Sequence, residues 1–447
     1  MKKKIFKQAY VSIEVVIVAA VILTAGLCGL LAFIKNAKNN NNGMLNAIDD
    51  IYTELELPIG GTGGGVGDIG GSGNTGDIGG SGDLGNLGGS DKEDETVTPE
   101  ENEKQPLPVT FGDAYAIYTD SDKTLRFIRS ETAPVVGEIY EELEITDVYS
   151  GIETSRYDYS LNTNSGDVPW HGTYRNSIEN VIVVDYIRPI DTTGWFSLKY
   201  CSNFDVANLD LSNGPDMSYT FADAGYNASS TLFSLDLSKW DTSKVKDMSC
   251  MFWYAGRKAQ TFELIGVEDW DISNANNIES MFAYSGYNAT TWSFDLSKWD
   301  TSSVIDEWVI GMEWVFGYAG YNSTNFSLNV TNWDVSRVSD TGWMFYNTGC
   351  KATSFKIEGL ETWTVSNVST MSNMFDSAGK YATTWSIGNI SNWDVSKVSN
   401  MYKMFYNAGL NADYTLDISA WADKVSKVSE NSGFEFGVES KIISPWD

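Results

Sequence analysis

Between residues 200 and 435 the apolar positions change their period and then start again. Around residues 233–240 they alternate, as Phe233, Leu235, Leu237 and then Trp240. The same alternation returns at Trp292, Phe294, Leu296, Trp299 and at Phe326, Leu328, Val330, Trp333. A period of two predicts short strands with one buried face. Past each strand the spacing lengthens, and Val245, Met248, Phe252 and Ala255 predict a two-turn helix with those side chains on its inner face. Five residues before each core Phe stand Asp216, Asp247, Asn277, Gly311, Asp340, Thr370 and Asn400, which suit helix starts. Four residues after it stand Gly225, Gly256, Gly286, Gly320, Gly349, Gly379 and Gly409, which suit left-handed stops.

The larger period is set by tryptophan. Trp240, Trp270, Trp299, Trp333, Trp363, Trp393 and Trp421 are spaced by 30, 29, 34, 30, 30 and 28 residues. Phe252, Phe282, Phe345, Phe375 and Phe405 each follow twelve residues after a Trp; Phe221 opens the series, and Phe316 joins it after a five-residue insertion near Trp308. A unit of about thirty residues recurring seven times predicts an α/β repeat solenoid, with one short strand and one short helix per turn and a parallel sheet. The aromatic ladders are read as its core.

Upstream, residues 109–200 read as a β-rich N-terminal cap of that solenoid. Tyr115–Tyr118 and Leu125–Ile128 flank Asp120-Ser121-Asp122 and predict a hairpin. Val181–Val184 reads as a buried strand, and the lone His171, next to Trp170, as a structural turn residue. Further upstream, Val11–Ile34 is an apolar run broken only by Glu14. As a helix it would be about 36 Å long, enough to cross a bilayer. Lys2, Lys3, Lys4 and Lys7 form the heavier positive flank and predict a cytoplasmic N-terminus. Gly60–Gly89 carries 16 glycines in 30 residues, followed by an acidic stretch to Pro108. Residues 58–108 therefore read as a flexible linker with an r.m.s. reach of roughly 40 Å. The expected organisation is a leader at 1–9, a transmembrane helical stem at 10–57, this linker, the cap at 109–200 and the repeats at 201–447.

The segment Gln8-Ala9-Tyr10-Val11-Ser12-Ile13-Glu14 resembles a type IV prepilin signal. The resemblance implies a cut after Ala9, a methylated terminus at Tyr10, and Glu14 paired with the amine of a neighbouring pilin-like subunit. Ala stands where the family has Gly and Tyr where it has Phe, so an uncleaved signal anchor remains the alternative.

Charge narrows the partners. The chain has 60 Asp+Glu against 30 Lys+Arg, a net charge of −30 and a pI near 4.3. Such a balance argues against nucleic acid, whose phosphates call for a positive surface. Four separated cysteines and one histidine exclude a disulfide framework, His-centred triads and two-histidine metal sites. No catalytic residue, metal or cofactor is expected, and the protein is read as a non-enzyme. After the Trp come Asp241, Asp271, Asp300, Asp334 and Asp394, mostly as Asp-x-Ser, which is turn chemistry before it is a calcium ladder.

The unit at 236–252, Asp-Leu-Ser-Lys-Trp-Asp-Thr-Ser-Lys-Val-Lys-Asp-Met-Ser-Cys-Met-Phe, resembles the repeat of BspA-like leucine-rich-repeat bacterial surface proteins. Over residues 200–435 that resemblance implies a cell-surface protein that adheres to a host, matrix or neighbouring-cell protein or glycan. The unit is longer than that family's, which leaves the ligand open. Candidate ligand contacts are Tyr254, Tyr284 and Tyr318, two places beyond the core Phe, and Tyr226, Tyr287 and Tyr321, just after the Gly. The alternative is that these rings only cover the ends of adjacent turns. The expected function is therefore adhesion, by a solenoid displayed outside the cell on a membrane or pilus stem. A structural minor pilin-like subunit is the second reading.

Overall fold

A computed structural model describes residues 112–157, 168–305 and 311–446. It opens on an antiparallel hairpin, β1 (Asp113–Thr119) and β2 (Thr124–Ser130), with Thr119 paired to Thr124 across the turn. A two-residue pair, β3 (Ile139–Tyr140) and β4 (Leu143–Glu144), precedes β5 (Asp147–Ser150), which lies antiparallel on the outer side of β1. After the four-residue helix α1 (His171–Tyr174), strands β6 (Asn180–Val183) and β7 (Asn203–Asp205) join the other side in parallel. The sheet order is β5-β1-β2-β6-β7, so the hairpin hands over to a parallel ladder at β2/β6.

That ladder continues through the repeats. Strands β8 (Leu232–Asp236) and β9 (Thr261–Ile265) pair in parallel. A second parallel sheet holds β10 (Thr291–Asp295), β11 (Asn325–Asn329), β12 (Ser354–Glu358) and β13 (Thr384–Ser386). The short parallel pair β14 (Leu416–Asp417) and β15 (Ile442–Ile443) closes the series. Registers advance by one unit per strand, Phe326 on Phe355 and Phe355 on Trp385, so like residues meet like residues. One hydrophobic cluster runs from Ala114 to Ile442.

The expected α/β solenoid with a helix in every turn is corrected here. Apart from α1 and four three-residue 3-10 turns, the described residues contain no helix, and the seven segments read as helices are chains of tight turns. In the second unit, Cys250, Tyr254 and Gly256 all have positive φ, 53°, 58° and 58°. A helix excludes such residues. Every second N–H closes a local turn, as Trp253 N to Cys250 O at 3.1 Å and Ala255 N to Phe252 O at 3.0 Å. The alternate N–H groups cross to the next unit: Cys250 N to Glu279 O at 2.8 Å, Phe252 N to Met281 O at 2.8 Å, Tyr254 N to Ala283 O at 3.0 Å. An isolated two-turn helix would leave most of its N–H and C=O groups unpaired at its ends, whereas this arrangement pairs them with a neighbour. Val245, Met248, Phe252 and Ala255 are all fully buried, so the inward spacing is real although the backbone is not helical.

The expected helix starts serve as turn residues. Asp216, Asp247, Asn277, Asp340 and Asn400 accept at Oδ1 from the N–H two residues on, at 2.8–3.0 Å. Parallel bridges link Asp247 to Asn277, Asp340 to Thr370, and Thr370 to Asn400. Among the described residues no helix is long and apolar enough to cross a membrane. The expected leader and membrane stem, with Ala9, Tyr10 and Glu14, and the linker at 58–108 lie outside the described residues, as does Trp308. The placement on a membrane anchor or pilus is corrected accordingly: no described helix carries it.

Candidate functional site

The array has an inner aromatic system that runs through all its units and an outer one over part of its length. Inside, the seven tryptophans stack face to face from Trp240 to Trp421, with centroids 5.9–6.5 Å apart and planes within 8°. Their indole N–H groups donate to backbone carbonyls, such as Trp299 to Val267 at 2.8 Å and Trp393 to Leu360 at 2.8 Å. The phenylalanines form a second stack, from Phe221 to Phe405, at 5.2–5.8 Å. These rings are buried and fill the core.

Outside, the six candidate tyrosines form two neighbouring columns. Tyr254, Tyr284 and Tyr318 stack at 4.3 and 4.5 Å, each at the second positive-φ position of its unit. Tyr287 stacks on Tyr321 at 4.8 Å with planes 7° apart, and Tyr226 meets Tyr254 edge-on at 5.7 Å. Tyr318 and Tyr321, 5.6 Å apart, join the two columns. Tyr318 is only 5% exposed; the other five are half-buried. The rings therefore cover one another and still keep an outer edge. Trp253, Trp314, Trp343 and Tyr346 complete this layer, Trp314 lying parallel to Trp343 at 5.0 Å. Sequence periodicity missed these four because each occurs in one or two units only.

A cation sits among the tyrosines. The Arg257 guanidinium lies 5.0 Å from the Tyr226 ring, 5.4 Å from Tyr254 and 5.2 Å from Tyr287, and donates to the Tyr226 hydroxyl. Lys351 stands 5.3 Å over Tyr321 and Lys380 stands 5.5 Å over Tyr381. Such contacts hold cations on ring faces without neutralising them. Burial pushes the Tyr287 hydroxyl up to about 12, and pushes the Cys350 thiol, beside Tyr321, up to about 11. Cys201, Cys250 and Cys350 are buried, poorly placed to act as nucleophiles.

The acidic residues occupy other corners. Asp241, Asp271, Asp300, Asp334 and Asp394 each accept at Oδ1 from the N–H two residues on, at 2.8–3.2 Å, and so make turns. Among the described residues no group of three His, Cys, Asp or Glu is placed to hold a metal ion. His171 is buried in α1; desolvation, aided by Arg175, pulls its imidazole down to about 3, against hydrogen bonds to the backbone of Trp195 and Gly194.

A family described as "Mycoplasma protein of unknown function, DUF285" matches the chain over residues 190–286, 255–384 and 310–441, which together cover more than half of its length. No curated protein and no solved structure matches it.

Proposed function

The chain belongs to the DUF285 family, and from that premise we propose that it is a non-catalytic binding protein that adheres to a macromolecule through the outer aromatic layer of its stacked units. The family's description supplies no activity, so the reading rests on the site. The observation that carries it is the second aromatic system outside the core: Tyr226, Tyr254, Tyr284, Tyr287, Tyr318 and Tyr321 lie in register over four units. Stability is already served by the Trp and Phe stacks, and a further row of half-buried rings offers rigid contact area at low entropic cost. The resemblance of the unit to BspA-like repeats supports the same reading, with a host, matrix or neighbouring-cell protein or glycan as the partner class.

The test measures attachment of the full chain to cell- and matrix-coated surfaces. A Tyr226→Ser, Tyr287→Ser, Tyr321→Ser variant is expected to lose attachment. Because these rings pack on each other, the urea midpoint of the variant is measured beside its attachment, and a second variant, Tyr200→Ser with Tyr381→Ser, alters neighbouring rings that are 42% and 47% exposed and is expected to keep the wild-type midpoint. Undiminished attachment in both variants would overturn the proposal.

A further inference from the structure

From the first unit to the sixth, the corner that follows the recurring glycine differs in charge from the rest of the molecule. Backbone hydrogen bonds align it from unit to unit: Asn227 N to Lys199 O, Asn288 N to Arg257 O, Asn322 N to Tyr287 O, Lys351 N to Tyr321 O, and Tyr381 N to Cys350 O. The aligned segments are residues 199–203, 226–231, 257–261, 287–291, 321–325, 350–354 and 380–384, followed by 410–414 through Asn411 N to Lys380 O. The first seven contain Lys199, Arg257, Lys258, Lys351 and Lys380 and no Asp or Glu, in a chain where acidic residues outnumber basic ones 60 to 30; Asp413 in the last segment ends the acid-free stretch. The remaining exposed positions are hydroxyls and amides, including Asn288, Thr290, Thr291, Thr324, Thr353, Thr383 and Gln260.

Four of these five cations keep their charge unneutralised by an ion pair among the described residues. Among the described residues Lys199 has Asp223 at 3.8 Å, whereas no ion pair engages Arg257, Lys258, Lys351 or Lys380. Lys258 and Lys351 are exposed; Lys258 donates to Asn227 at 2.9 Å. At about 4.8 Å per ladder step, Lys258 and Lys351 stand roughly 14 Å apart and Arg257 and Lys380 roughly 19 Å apart. Between them the surface is tyrosine, asparagine and threonine.

From this juxtaposition we propose that the post-glycine corner is a binding strip for an acidic polysaccharide, a chain of sugar rings carrying carboxylate or sulfate groups. The proposal rests on the binding reading above and names its ligand class. Sparse cations separated by hydroxyls and amides match a polymer whose negative groups are separated by sugar hydroxyls, which donate and accept hydrogen bonds between the charges. Tyr200 and Tyr381, at opposite ends of the strip, are 42% and 47% exposed and offer ring surface to a sugar, Tyr381 with Lys380 5.5 Å from its ring. A nucleic acid fits less well: it carries a phosphate at every nucleotide and needs open ring faces for its bases, and Tyr287 and Tyr321 have closed theirs on each other. The net charge of −30 repels any polyanion at long range, so binding rests on local complementarity at this corner.

The experiment measures binding of the full chain to immobilised heparin, hyaluronan, neutral dextran and a single-stranded oligonucleotide, at low and at physiological salt. Expected is binding to at least one acidic polysaccharide that weakens with salt, with little binding to dextran or the oligonucleotide. Heparin and hyaluronan separate sulfate from carboxylate as the recognised group. The variant Lys258→Glu with Lys351→Glu is expected to lose at least tenfold in affinity. Lys239→Glu with Lys246→Glu makes the same charge change on exposed residues off the strip, and is expected to keep the wild-type affinity. Absent binding to both acidic polymers, equal binding to dextran, a preference for the oligonucleotide, or equal losses in the two variants would each overturn the inference. If attachment to cells or matrix still depends on the tyrosines in that case, the binding reading stands and only the ligand class fails.

Discussion

His171 shows how much of this chain's chemistry is decided one residue at a time. The imidazole is buried between α1 and the backbone of Gly194 and Trp195, where desolvation, reinforced by Arg175, favours its neutral form and pulls its pKa from 6.5 to about 3. The folded state thus binds a proton less readily than the unfolded chain. Its contribution to stability is full above about pH 6.5 and is lost progressively as pH falls towards about 3. The expected outcome is a urea midpoint that declines from pH 7 to pH 5 in the native chain and declines less in His171→Gln. Equal slopes would mean that the ring is protonated while folded. The residue type and its isolation were legible in the sequence; its burial was not, because the backbone it hydrogen-bonds to, at Gly194 and Trp195, lies more than twenty positions away.

At the scale of the element, the turn segments carry the main lesson. The three- and four-residue spacing of apolar positions looked helical, and the polar residue before it and the glycine after it agreed. Yet the same spacing serves a run of tight turns whose alternate N–H groups reach a neighbouring unit. Glycine does adopt positive φ at 225, 256, 286, 320, 349, 379 and 409. So do Tyr254, Tyr284, Tyr318, Trp314, Trp343 and Lys403, which no local preference would place there. Pairing between units compensates strain within them. At Gly286, φ is 49° and an added Cβ would stand 2.8 Å from Phe262 Cγ. Gly286→Ala is therefore expected to destabilise the protein by at least ~1–2 kcal/mol, the left-handed backbone penalty alone, read from the urea midpoint. An unchanged midpoint would mean that the residue is not held at positive φ.

At the scale of the molecule, the units behave as interchangeable layers. Each Trp stacks on the next and each strand pairs with its equivalent, so nearest-neighbour contacts dominate. Removing residues 365–394 joins Thr364 to Val395, the equivalent of Val365, and keeps the ladder in register. That deletion is expected to leave a cooperative unfolding transition at a lower temperature, followed by near-UV circular dichroism of the stacked tryptophans. Removing only 365–379 breaks the register and is expected to abolish the transition. A folded half-unit deletion would show that the layers are not the cooperative elements.

The period of thirty, the buried Trp and Phe ladders, the short strands and the hairpin at 113–130 follow from the sequence, because each rests on residues close together in the chain or repeated along it. The turn role of Asp241 and its equivalents was also visible, since a side chain that accepts from the N–H two residues on is a local device; Asp216, Asp247 and their equivalents, expected to start helices, make the same kind of turn instead. What only the tertiary structure decided is the conformation between strand and strand, the second aromatic layer with Trp253, Trp314, Trp343 and Tyr346, and the acid-free corner around Arg257 and Lys351. All three depend on hydrogen bonds and ring contacts between units about thirty residues apart. The backbone there takes the geometry that satisfies its neighbour's donors and acceptors, and a single unit carries no signal of which side chains from other units will stand beside its own.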